Sequence, residues 1–157
     1  MKITALLAVA AAVLLGACAS HTPRPEPSAS ACEIPSKDEV IALFDRWNAS
    51  LAKGPEAVLA NYAKDSVLLP TLWAGPQIST DEKLAYFQHF LENQPSGTID
   101  WRWIDTGCNT ATDTGLYTFL FKVTGKQAQA RYTYTYRRDG KDWLITSHHS
   151  SLRPPPH

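Results

Sequence analysis

Hydrophobic positions in the first half of the chain recur at helical spacing. Val40, Leu43, Phe44, Trp47 and Leu51 follow Ser36-Lys37-Asp38-Glu39. In that tetrapeptide the Ser36 hydroxyl can accept from the Glu39 amide while the Glu39 carboxylate reaches back, a capping box. The pattern predicts a first helix over about 37–52, stopped by Gly54 where a left-handed backbone is needed. Pro55 suits the first position of a second, short helix through Tyr62. Ser66 to Leu69 reads as a short strand stopped by Pro70, and residues 71–78 as a loop. Ser79-Thr80-Asp81-Glu82 is another helix start, with Leu84, Phe87, Phe90 and Leu91 as its apolar face and Pro95-Ser96-Gly97 as its end.

From Thr98 onward the period changes to two. Ile99, Trp101 and Trp103 alternate with Asp100, Arg102 and Ile104, and Gly107-Cys108-Asn109 makes a turn. Ala111 to Val123 is β-prone, with Tyr117, Phe119 and Phe121 on one face. After Gly125, Ala130 to Arg138 alternates Tyr132, Tyr134 and Tyr136 with Arg131, Thr133 and Thr135. Asp139-Gly140 is a hairpin signal, and Trp143 to Leu152 is the last strand. Helices followed by a run of antiparallel strands define an α+β domain. A strongly curved sheet wrapped around the first helix leaves a cone with an opening, a natural ligand pocket.

The N-terminus has a different character. Lys2 precedes an apolar run from Ile3 to Leu15, shorter than the roughly 20 residues of a spanning helix. Leu15-Gly16-Ala17-Cys18 looks like a bacterial lipobox, in which Cys18 is lipidated and becomes the first mature residue; the alternative is an ordinary secretory signal cleaved nearby. Residues 1–17 are then a signal peptide, and 18–35 the lipidated cysteine with a Pro-rich tether. The folded domain covers 36–152, and 153–157 form a Pro-rich tail. Lipid chains would hold the protein on the periplasmic face of a membrane. Ala19, where lipoproteins retained at the inner membrane carry Asp, favours the outer membrane in a Gram-negative host.

Three cysteines then divide into one for lipid and two for the domain. Cys32 and Cys108 can pair in an oxidising compartment or remain buried thiols. The chain has 15 basic and 15 acidic residues. That balance argues against a nucleic-acid partner, although Arg131, Arg137 and Arg138 cluster on one strand.

Three blocks carry a family likeness: Leu43 to Leu72 (LFDRWNASLAKGPEAVLANYAKDSVLLPTL), Ala111 to Phe119 (ATDTGLYTF) and Ala130 to Ser151 (ARYTYTYRRDGKDWLITSHHSS). They resemble the association domain of calcium/calmodulin-dependent protein kinase II, and more closely its bacterial stand-alone relatives. That resemblance implies a cone of the nuclear transport factor two-like, or cystatin-like, superfamily, with helices packed in a strongly curved antiparallel sheet. It also implies a polar pocket and self-association through the sheet as a homodimer or larger homo-oligomer. Some relatives carry an oxidoreductase label. With no kinase domain in the chain, kinase activity is not expected. By the resemblance, Arg131 stands where the kinase domain has a pocket arginine, and His149 matches its last-strand histidine. Ser150 replaces the arginine that follows.

The candidate chemistry rests on a few side chains. A guanidinium inside a cone needs a carboxylate or an anionic ligand, because an unpaired buried charge is costly. Arg131 is therefore expected to hold a small, anionic organic ligand, unless it faces solvent. His148 and His149 point to opposite faces of a strand. A two-residue loop at Asp139-Gly140 puts Arg131 opposite His148, and a three-residue loop that includes Lys141 puts it opposite His149; the resemblance favours His149. As a general base, His149 would be oriented by Asp113, giving a cofactor-independent acid–base enzyme of the isomerase or dehydratase type. Trp47, Tyr62 and Tyr117 are expected as cavity walls. No HExxH, CxxC, phosphate loop, dinucleotide fingerprint or nucleophile elbow occurs, so neither metal nor cofactor is expected. Three roles follow: a lipid-anchored small-molecule-binding module, that enzyme, or a structural oligomerisation module.

Overall fold

The computed structural model describes residues 32–155; the expected signal peptide, Cys18 and most of the tether lie outside them. The order of elements is α1 (Lys37–Ser50), a single 3-10 turn (Leu51–Lys53), α2 (Pro55–Leu59), β1 (Tyr62–Leu69), α3 (Thr80–Leu91), β2 (Pro95–Gly107), β3 (Thr110–Phe121), β4 (Lys126–Asp139) and β5 (Asp142–Leu152). The sheet runs β1-β5-β4-β3-β2. β2 to β5 form an antiparallel meander, and β1 is added parallel to β5 at the far edge.

Both helix starts are closed capping boxes. Ser36 accepts from the Glu39 amide while the Glu39 carboxylate accepts from Ser36, and Ser79 and Glu82 repeat the arrangement. α1 lays Val40, Leu43, Phe44 and Trp47 onto the sheet, all buried. There they meet the inward row of β4: Phe44 lies against Tyr132 and Tyr134, and Trp47 against Tyr134. Burying each such side chain contributes about 1.5–3 kcal/mol.

The expected second helix through Tyr62 is too long. α2 ends at Leu59, and Tyr62 already opens β1. Asn61 explains the break. Its buried amide donates to the Ala57 and Val58 carbonyls and to Ser50 Oγ, while its backbone carbonyl accepts from Ile145 of β5. β1 is correspondingly longer than Ser66 to Leu69, with a register shift between Tyr62 and Val67. Lys83 of α3 fills that irregularity: its buried ammonium donates to both the carbonyl and the hydroxyl of Ser66 at 2.7 Å.

Two irregularities set which side chains face α1. Pro95-Ser96-Gly97 does not separate helix from strand; Pro95 is the first residue of β2, a position that tolerates the missing N–H. A bulge between Ile99 and Trp101 then reverses the pleat. Ile99 packs on the core, Trp101 and Trp103 stand exposed on the outer face, and Arg102 and Ile104 turn inward. Gly115 sits where the strands come close, and a Cβ there would overlap the Trp101 carbonyl oxygen.

The second irregularity is in the last hairpin. Its loop is Gly140-Lys141, with Asp139 paired to Asp142, and a bulge follows between Thr135 and Tyr136. Arg131 is consequently opposite Ser151, and Thr133 opposite His149. Neither register expected from the sequence occurs, because both took the turn one residue early and neither included a bulge.

Cys32 and Cys108 are joined by a disulfide, with Cα atoms 5.1 Å apart. Asn109 reinforces it. Its backbone N–H donates to the Glu33 carbonyl and its side-chain oxygen accepts from the Glu33 N–H, while Glu33 is ion-paired with Arg138. The start of the domain is thus clamped to the β2–β3 turn.

Candidate functional site

Alternation along β3, β4 and β5 sends one set of side chains into the cone. Tyr117 and Phe119 of β3, Ala128 and Ala130 of β4, and His148 and Ser150 of β5 face inward. They face Trp47 of α1 and the aromatic side of α3, where Tyr86 and Phe90 stack 5.7 Å apart. Between them lies a cavity of about 360 Å³. The 71–79 loop forms its rim: Trp73 packs edge-on against Tyr86, and Leu72, held at φ 59°, is exposed beside it.

The inner end of the cavity is polar and organised. The Trp47 indole N–H donates to the Tyr62 hydroxyl at 3.1 Å, and that hydroxyl is 2.7 Å from His148 Nδ1. His148 also stacks on Tyr134, with ring centroids 4.1 Å apart. A second group lies one pleat along β5: the Tyr117 hydroxyl donates to Ser150 Oγ at 2.6 Å, and Ser150 Oγ lies 2.5 Å from Thr71 Oγ1. Burial, with His149 next to it, pushes the His148 imidazole down to about 3. At neutral pH it is uncharged and unsuited to carrying protons.

The structure brings Trp47, Tyr62, Tyr117 and His148 together, so the inward histidine is His148 where the resemblance favoured His149, and Arg131, His149 and Asp113 do not join them. Arg131 and His149 do share a face, but it is the outer one, because the alternate residues Tyr132, Tyr134 and His148 are the ones that point into the cone. They border an outer hollow of about 540 Å³ with Trp101, Thr114 and Ser151. All of its lining comes from β2 to β5, so it has a floor and no roof. Arg131 makes no ion pair among the described residues, and it cannot hold an anion in the cone.

Asp113 faces inward and is fully buried, so it cannot orient the outward His149. Its partner is Arg102: Arg102 Nε donates to Oδ1 at 3.1 Å, and one terminal nitrogen lies 3.1 Å from Oδ2. The Tyr132 hydroxyl donates to Oδ1 at 2.9 Å, and the guanidinium lies 5.5 Å from the centre of the Phe44 ring. Burial holds the Asp113 carboxyl above the usual carboxylate range, and Arg102 and Tyr132 pull it back. No cluster of metal-binding side chains occurs among the described residues.

Sequence reasoning missed Thr71, Trp73, Tyr86 and Phe90 as cavity walls, and it noted Ser150 only as a departure from the family. The helical spacing from Leu84 to Phe90 contained Tyr86, whose partly buried ring flanks the apolar face. Nothing in the sequence placed the loop residues Thr71 and Trp73 at the mouth.

A curved sheet wrapped around one long helix, with the cavity between sheet and helices, defines the cystatin-like, nuclear transport factor two-like class. Two solved structures share it: a protein of unknown function with a cystatin-like fold from Nostoc punctiforme and a protein of unknown function with the nuclear transport factor two-like fold from Pseudomonas putida. The first is 20% identical with a TM-score of 0.65, covering 75% of this chain and 91% of its own. The second is 18% identical with a TM-score of 0.64, covering 73% and 84%. Residues 36–154 match the calcium/calmodulin dependent protein kinase II association domain. A Xanthomonas campestris structure that carries that domain's name is 42% identical over 76% of this chain and 89% of its own, with a TM-score of 0.73. The chain belongs to the calcium/calmodulin dependent protein kinase II association domain family. No curated protein matches it.

The buried imidazole predicts a pH dependence of stability. His148 takes up a proton near pH 3 when folded, but near pH 6.5 when unfolded. The unfolded chain therefore binds more protons between those values, and stability falls as pH drops through that window, by up to roughly 1.4 kcal/mol per pH unit. Above pH 7 the group contributes no slope. The exposed carboxylates of Glu39, Asp65 and Glu82, all held low by hydrogen bonds, titrate below roughly pH 4.5. Asp113, held high in the folded state, gives an opposing slope in both proteins, so urea unfolding between pH 6.5 and 5 is read as a difference: stability should fall more with falling pH in the wild type than in His148→Phe. An equal slope in both proteins would rule out His148 as its source.

Proposed function

We propose that this protein is an exported, lipid-anchored binding domain that takes a small organic molecule into its cone and associates with copies of itself through the outer sheet. The observation that carries the binding reading is the cavity. At about 360 Å³ it falls at the small end of the roughly 300–1,000 Å³ of ligand sites, and it combines aromatic walls with a few convergent polar groups. Binding is favoured over acid–base catalysis because the histidine in the cavity is held neutral and the buried carboxylate is committed to Arg102.

Self-association is supported by the family and by Trp101 and Trp103, which are 56% and 53% exposed on the outer face. Two exposed indoles on the threonine-rich outer face of the sheet are what a partner surface would cover. Export is supported by the apolar N-terminal run ending in Leu15-Gly16-Ala17-Cys18 and by the Cys32–Cys108 disulfide, since such bonds persist in oxidising compartments. Ala19 after Cys18 favours the outer membrane of a Gram-negative host.

Three measurements test these parts separately. Ala128 lines the cavity from β4. Ala128→Trp should weaken naphthalene binding, followed by saturation-transfer NMR, by about tenfold or more, equivalent to ~1.4 kcal/mol; equal binding in both proteins would mean the cavity is not the site. A Trp101→Glu, Trp103→Glu double variant should lower the mass seen by light scattering at least to that of a smaller assembly, and an unchanged mass excludes the outer face as the interface. Cys18→Ser should move the expressed protein out of the detergent phase with the soluble fraction, and continued partitioning with membrane lipoproteins refutes the anchor.

A further inference from the structure

We infer that the cavity selects an uncharged aromatic compound of one or two rings that carries a carbonyl oxygen, which accepts from the Nε2–H of His148. This inference rests on the binding reading above and specifies its ligand class. It begins with counting hydrogens. An indole N–H can only donate, so the Tyr62 oxygen accepts from Trp47. Tyr62 has one hydroxyl hydrogen, and the acceptor in contact with it is His148 Nδ1. With Nδ1 accepting, a neutral imidazole carries its proton on Nε2. Among the described residues Nε2 has no partner; the atom itself is buried, and it is met by a ligand where His148 borders the cavity. A buried donor left unsatisfied costs about 1–3 kcal/mol, so the site is built with an unmet demand for an acceptor.

The hydroxyl group next to it leads to the same chemistry. Tyr117, Ser150 and Thr71 bring three hydroxyl hydrogens to two oxygen–oxygen contacts. Whichever way the Ser150–Thr71 bond runs, one hydrogen is left to donate. The polar end thus offers two donors and no fixed charge. The other histidine on the cavity wall is His89, at the mouth beside Glu92, and burial keeps the Tyr86 and Tyr117 hydroxyls protonated. Arg131 lies outside, and Arg102 is bound to Asp113. A carboxylate drawn into this space would be desolvated without a counter-ion, at large cost. The remaining walls, Trp47, Trp73, Tyr86, Phe90 and Phe119, favour a flat ring.

The test uses the intact domain and three single-ring probes of similar size: acetophenone, ethylbenzene and benzoate. Because ethylbenzene leaves water more readily, the quantity compared is the ratio of acetophenone to ethylbenzene affinity, by calorimetry at pH 7.5. His148→Phe should lower that ratio about fivefold, the loss of one hydrogen bond, and benzoate should be the weakest of the three on the wild type. Nitrogen-edited NMR of the wild type gives a second readout that needs no variant: acetophenone should shift the His148 Nε2–H signal downfield, and ethylbenzene should not. An unchanged ratio, an unmoved Nε2–H signal, or benzoate binding most tightly overturns the ligand class while leaving a binding cavity in place. If none of the three probes binds, the cavity-binding reading falls with it.

Discussion

The alternation of side chains across a pleated sheet decides nearly everything in this structure. A strand has two faces, and a single extra residue exchanges them. Here two bulges do so. The one before Trp101 turns two tryptophans to the outside and brings Arg102 in. The one beside Tyr136, together with the position of the hairpin loop, puts His148 and Ser150 in the cone and leaves His149 on the outer face with Arg131. With those two residues paired regularly, the interior would lack its cation partner for Asp113, and the cavity would present a different pair of side chains.

The inward Arg102 has an electrostatic consequence. Asp113 sits in β3 with no exposure, and a carboxylate there without a partner would be strongly destabilising. Arg102, the Tyr132 hydroxyl and the Phe44 ring surround it. The two charges therefore balance one another, and the pairing takes both groups out of any ligand chemistry. A neutral cavity follows from that closure as much as from the residues lining it. Arg131 lies outside the cone, and Ser150 holds the inward position one pleat from His148, its hydroxyl bonded to Tyr117 and Thr71.

Much of the fold was legible from local chemistry. The capping boxes at Ser36 and Ser79, the apolar spacing of α1 and the tyrosine row of β4 each have one physical reading, and the structure agrees. The burial of Trp47, Tyr62 and Tyr117 around the polar end of the cavity was legible for the same reason, since large aromatics at regular spacing belong against the core, whereas the inward histidine is His148 and not the favoured His149. The face of Arg131 and His149 was not. For His149 it depends on where a two-residue turn falls within Asp139-Gly140-Lys141 and on a bulge with no composition of its own, and for Arg131 on which side of the tyrosine row α1 covers. Arg102 was missed because Ile99, Trp101 and Trp103 make a convincing apolar face if the strand is regular. The parallel addition of β1 to β5 escaped because it joins residues 62–69 to 145–149, and nothing local records such a pairing.

Putting Arg131, His149, Trp101 and Trp103 on one side, and the cavity on the other, also removes a conflict between the two roles proposed for the domain. A partner docked on the outer face would cover the sheet but not the mouth of the cone, which opens between Trp73, Leu72 and the end of β5 at Leu152. The same sheet is the wall between them. A ligand pressing on Tyr117 or Ala130 acts on strands whose opposite face carries Leu116 and Arg131. Because packed interiors resist compression, a change of strand spacing on one side must be felt on the other. Assembly and binding are therefore separate in space but share the backbone of β3, β4 and β5, and any coupling between them must pass through the twist of those three strands.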